Sequence, residues 1–114
     1  MLREYMFLIP ETWGDSRVLH EWKVFNELHK ALFKLAGGFT EGPLVNGCMR
    51  NAKDYRILDR STPYIVATDD ESAIVEIVRR ACNDFGQSCI YFRYPDGSVA
   101  LLEPFATVKL NGVV

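Results

Sequence analysis

Two stretches of this chain carry apolar residues at helical spacing, and each lies between segments whose apolar residues alternate. That order admits few folds. In the first stretch, residues 16–36, Val18, Trp22, Phe25, Leu28, Leu32 and Leu35 recur at steps of three and four and form one stripe. Lys23, Glu27, Lys30 and Lys34 fall on the other side, Asp15 or Ser16 is placed to cap the start, and Gly37-Gly38 stops the end. In the second, Thr68 and Glu71 have the spacing of a capping box, and Asp69, Asp70 and Glu71 put negative charge at the positive end of the helix. Ile74, Ile77, Val78, Ala81 and Phe85 form its apolar stripe, and Gly86 closes it.

The intervening segments read as strands. In residues 3–10, Tyr5, Phe7 and Ile9 alternate with Met6 and Leu8; both sets are apolar, as in a central strand. Residues 39–50 read as extended but broken at Gly42-Pro43 and Gly47. Residues 55–58 read as a short arm, Asp59-Arg60-Ser61 as a turn, and residues 63–68 as a strand with Tyr64 and Val66 on one face. Together, residues 44–58 and 63–68 suggest a long hairpin. A strand at 88–94, a Pro95-Asp96-Gly97-Ser98 turn and a strand at 99–103 follow, while the apolar tail 104–114 is assigned no place. The order predicts an α+β fold, a ferredoxin-like β-α-β-β-α-β sandwich with an extra C-terminal strand. Right-handed crossovers put both helices on one face of the antiparallel sheet. With 114 residues there is one core and one domain.

Composition narrows the function classes. The chain is 48% apolar and 12% aromatic, enough for a packed interior. Thirteen basic residues against fifteen acidic ones leave no excess of positive charge for phosphate backbones, and no RNA-stacking motif is present, so nucleic acid is not the expected partner. The apolar run near the start is only five residues, Tyr5 to Ile9, too short for a signal peptide or a membrane span. Cys48, Cys82 and Cys89 form no CxxC pair and read as reduced thiols, consistent with the cytoplasm. Cys48, beside Gly47 and near Arg50, is the best candidate for a reactive thiol. His20 and His29 are nine residues apart on the expected first helix, hence on opposite sides, and Val24 breaks any HExxH pattern. No metal and no cofactor are expected.

Three features remain as carriers of function. The sheet face away from the helices is apolar whichever set it shows; one assignment exposes Tyr5, Phe7, Tyr64, Val66 and Tyr91 together, a patch suited to self-association. Tyr5, Phe7, Val66 and Tyr91 are therefore interface candidates for a homodimer. The polar hairpin concentrates Arg50, Lys53, Asp54, Arg56, Asp59 and Arg60, either as a solvated surface with weak ion pairs or as the lining of an anion pocket. His29 and Tyr64 join Arg50, Asp59 and Arg60 as candidate ligand-binding residues. Two functions stay open: a binding module that pairs through its sheet, and a small enzyme or ligand-binding protein with a pocket between sheet and helices.

Several short motifs carry a resemblance: Phe39-Thr40 after the first helix, Gly47 with Arg50, Asp59-Arg60-Ser61 leading to Tyr64, and Phe85-Gly86-Gln87. With these the chain resembles small, uncharacterised bacterial ferredoxin-like domains of the dimeric α/β-barrel type, similar to ones found on phages and mobile gene cassettes. It departs from them at Cys48-Met49, where that group shows an aromatic residue. The resemblance implies a fold and pairing through sheets, and no activity or catalytic residue.

Overall fold

The structure is a computed structural model that describes residues 1–13, 16–50 and 53–105. Its elements are β1 (Arg3–Pro10), α1 (Trp22–Ala36), β2 (Thr40–Glu41), β3 (Val45–Arg50), β4 (Arg56–Thr68), α2 (Glu71–Asp84), β5 (Ile90–Arg93) and β6 (Val99–Leu102). The strands form one antiparallel sheet in the order β2-β4-β1-β5-β6, with β3 paired to the first half of β4. This is the expected α+β arrangement with its added final strand. Among the described residues no helix is long and apolar enough to cross a membrane.

The helices cover the face that carries Tyr5, Phe7, Ile9, Tyr64, Val66, Ile90 and Phe92, all buried. Leu28 and Leu32 of α1 and Ile74, Val78, Ala81 and Cys82 of α2 meet them. The rings of Phe7 and Tyr64 stack with centroids 5.3 Å apart, and those of Tyr5 and Phe92 at 5.8 Å. Tyrosine is tolerated in this core because each phenol reaches the periphery: the Tyr5 hydroxyl donates to Glu71 Oε1 at 3.1 Å and that of Tyr64 to Glu41 Oε1 at 2.8 Å.

This placement corrects the interface expectation. Tyr5, Phe7 and Val66, with Tyr64, lie under the helices rather than on the open face; of that group only Tyr91 points the other way, with Met6, Leu8 and Ile65. Alternation yields two apolar sets of equal merit, and the larger rings go where two layers about 10 Å apart must be filled. The same rings occupy the space between sheet and helices where a pocket was expected, and the clefts lie elsewhere.

Three local expectations change as well. The first helix starts at Trp22, not at residue 16, because Ser16 closes a turn: its Oγ donates to Trp13 O at 2.6 Å and accepts from Val18 N at 3.1 Å. A bridge between Thr12 and Leu19 completes that loop, leaving Val18 and Trp22 exposed and His20 in the loop rather than on the helix. Asp70, not Thr68, caps α2, accepting from Ala73 N at 3.0 Å. Finally, Asp59-Arg60-Ser61 is no turn but the middle of the thirteen-residue β4, which runs past the end of β1 to form an arm with β3. The chain reverses instead around Asp54, whose φ is 67°. Of the tail, Phe105 lies under the Arg79 guanidinium, 4.8 Å from its ring centre, and residues 106–114 fall outside the described residues.

Candidate functional site

Where β4 leaves β1, the sheet opens. Pro10 is paired with Ser61, and beyond it Asp59 faces Gly47 across the ladder to β3. The Asp59 carboxylate lies against the Gly47 Cα, in the place a β-carbon would take, so this position accepts only glycine without moving the acid. A cavity of about 330 Å³ lies at this foot of the arm, walled by Leu8, Ile90, Tyr91 and Leu101, with Asp59 and Gln87 among its polar groups. Gln87 is fixed: its Nε2 donates to Thr12 O and to Phe85 O, both at 2.8 Å. These two bonds tie the loop after β1 to the end of α2. The loop is held closer still by Gly86, whose φ of 63° suits glycine and whose missing side chain makes room for the Trp13 ring.

A second cavity, about 780 Å³ and more open, adjoins the first. The two share Thr12, Asn46, Gly47 and Asp59, and the second adds Glu11, Ser16, Arg17, Leu58 and Arg60. On the opposite side of the molecule, α1 and α2 leave a groove of about 340 Å³ with an apolar floor of Leu28 and Ala31 and a rim that includes Lys34 and Arg80.

The residues singled out in the sequence separate into three groups. Asp59 borders both arm cavities and Arg60 the larger one. Arg50 stands at the far end of the arm, its Nε 2.9 Å from Asp54 with both side chains exposed, and lines neither cavity. His29 and Tyr64 are brought together on the helix side: His29 Nε2 is 2.9 Å from the Tyr64 hydroxyl, which in turn donates to Glu41. Burial, and then the hydrogen bond to Glu41, push the Tyr64 hydroxyl well above the usual phenol range. With Tyr64 fully buried, this network pins α1 to β2, and none of its three residues lines the three cavities described above.

The remaining titratable groups follow their surroundings. Cys82 is buried, its Sγ 3.2 Å from Gln87 O, and burial raises its thiol to about 11. Cys48 is exposed and Cys89 half-buried, and both border the smaller cavity. His20 packs among Trp13, Phe25 and Phe85, and burial lowers its pKa against the opposing pull of the Thr12 and Pro10 backbone. No group of three metal-ligating side chains occurs among the described residues. The sequence reading missed Gln87, Thr12 and the apolar wall. The visible signal was Gln87 itself, a polar residue placed directly after a helix-closing glycine.

No family model matches the chain, and no curated protein matches it. Solved structures do. A phage SAM lyase in complex with S-methyl-5'-thioadenosine superposes with a TM-score of 0.71 at 11% identity, covering 93% of each chain. The phage SAM lyase in its apo state gives 0.62 at 10% identity over 91% of this chain and 90% of that one. The divalent cation tolerance protein CutA1 from Thermus thermophilus gives 0.50 at 16% identity, over 96% and 90%. At these identities the likeness establishes the fold.

Proposed function

We propose that this chain binds an S-adenosyl sulfonium in the cavity at the foot of the arm and breaks its carbon–sulfur bond, as a SAM lyase. The observation that carries the reading is the superposition, over 93% of each chain, on a structure holding S-methyl-5'-thioadenosine. The cavity's chemistry supports it. About 330 Å³ lies within the range of small-ligand pockets. Apolar and aromatic walls from Leu8, Tyr91 and Leu101 suit a nucleoside, and the Asp59 carboxylate beside them suits a cation in a medium of low dielectric. In such a cleavage the electron pair of the broken bond moves to sulfur and leaves a neutral thioether. The carbon that loses sulfur gains a bond to an oxygen of the substrate's own carboxylate, closing a lactone, so atoms and charge balance and no water has to be positioned. Asp59 therefore holds the charged substrate more strongly than the neutral product, which favours release after each turnover. The three free thiols suit a reducing cytoplasm, where that substrate would be met.

The test is incubation of the purified protein with S-adenosylmethionine, followed by mass-spectrometric measurement of S-methyl-5'-thioadenosine. Product forms with the wild type and falls at least about tenfold with Asp59→Asn, a loss of ~1.4 kcal/mol or more. No product, and no calorimetric binding of S-methyl-5'-thioadenosine, sinks the reading.

A second observation bears on assembly. Ile65 and Val99 remain exposed on the open face, at 39% and 48%. We infer that a second copy covers the part of this face around Ile65 and Val99, giving a homodimer that leaves the cavity at Leu101 open, because an exposed apolar patch is complementary to itself. Light scattering shows a dimer that Ile65→Lys converts to monomer; a wild-type monomer at all concentrations overturns it.

A further inference from the structure

We propose that the two arm cavities are one bipartite site, in which the larger takes the zwitterionic amino-acid half of the sulfonium substrate. The inference rests on the lyase reading of the smaller cavity and adds a place for the other end of the molecule.

The two linings differ in kind. The smaller cavity has apolar walls, whereas Glu11, Arg17 and Arg60 all border the larger. Among the described residues none of these three charged side chains has an ion-pair partner. Two guanidinium groups around one opening form a receptor for a carboxylate, which they can grip with paired N–H donors. A nearby carboxylate, Glu11, complements an ammonium group. An α-amino acid carries both.

The lining is also held in place. Glu11 N donates to Arg60 O at 2.9 Å and His20 N to Glu11 O at 3.2 Å, while Trp13 N to Val18 O at 2.9 Å closes the loop that carries Arg17. The Arg17 loop is thereby fastened to the strand that carries Arg60, so little ordering is left for the ligand to impose.

The junction matches the ligand's connectivity. In an S-adenosyl sulfonium the sulfur joins the nucleoside to the amino-acid chain. Asp59 and Gly47 are shared by both cavities. A nucleoside in the apolar cavity and an amino acid in the charged one put the sulfonium beside the Asp59 carboxylate, which borders both cavities and is accommodated by Gly47.

The experiment is calorimetric titration with two probes that are not cleaved: S-adenosylhomocysteine, which keeps the amino-acid half, and S-methyl-5'-thioadenosine, which lacks it. Wild type binds S-adenosylhomocysteine about tenfold more tightly or better, and Arg17→Ala and Arg60→Ala each lose about tenfold for it. Both variants hold S-methyl-5'-thioadenosine within about twofold of wild type, with thermal midpoints confirming that they fold. Equal wild-type affinity for the two probes, or equal loss of both in the variants, overturns the bipartite site and leaves the lyase reading standing. Binding of neither probe by wild type overturns both.

Discussion

The two faces of the sheet are built from the same strands and have opposite textures. Under the helices, Tyr5, Phe7, Tyr64 and Phe92 are fully buried and ring touches ring. One residue along each strand, Met6, Ile65 and Tyr91 are only partly covered or exposed, and Asp59 and Gly47 border a hollow. The covered face holds the domain together, and the open face keeps space unfilled. Dense packing and an accessible carboxylate exclude each other at one position, and the alternation of a strand lets one segment supply both.

The largest test of this contrast is Phe7→Ala. Removing a ring from the packed face costs about 3–5 kcal/mol, read by urea denaturation. Gly47→Ala acts on the other face: its β-carbon displaces Asp59, and on the proposed lyase reading affinity for S-methyl-5'-thioadenosine falls about tenfold, ~1.4 kcal/mol, in calorimetry while the urea midpoint holds. Tyr64→Phe sharpens the comparison at the sheet's edge, because it removes a hydroxyl that pins α1 to β2 and lies away from either arm cavity. It costs about 1 kcal/mol of stability and leaves ligand affinity unchanged. Smallest in stability is Ile65→Lys, within about 0.5 kcal/mol for the monomer, while the proposed dimer is lost in light scattering.

His20 gives the contrast a pH dependence. Burial lowers its folded pKa below the ordinary 6.5, so as pH falls through that value the unfolded chain takes up a proton that the native ring refuses. Stability therefore drops on acidification from pH 6.5 toward the lowered folded value. His20→Phe, seated among Trp13, Phe25 and Phe85, shows a shallower fall in thermal midpoint between about pH 7.5 and 5.5.

Much of the frame was legible before the structure. The stripes of both helices and the Pro95–Ser98 turn are local patterns, decided by residues three or four apart, and the element order follows from them. The failures are nonlocal or competitive. Two apolar strand faces do not say which one the helices choose. Ser16 had a helix to cap and a turn to close, and Trp13 and Val18 settled it in favour of the turn. Asp59, Arg60 and Ser61 look like a turn in isolation and become strand because β3 pairs with all three and β1 reaches Ser61. The candidate site was hidden for the same reason. Leu8, Thr12, Gly47, Asp59 and Gln87 come from separate segments, and each is ordinary where it stands.

The length of β4 carries a last consequence. A single continuous strand bears Tyr64 and Val66 for the core and Asp59 for the cavity, so any slip in its pairing moves all three at once. A slip of one residue turns the core rings outward and leaves smaller side chains to fill the space under the helices, so packing rejects it. A slip of two restores the facing of every side chain and escapes that check. It sets Asp59 against Val45 or Met49, neither of them a glycine, and the carboxylate loses its gap. Gly47 thus works as a keyway: one notch, cut in the neighbouring strand, that admits the aspartate in the native alignment and refuses it two steps to either side.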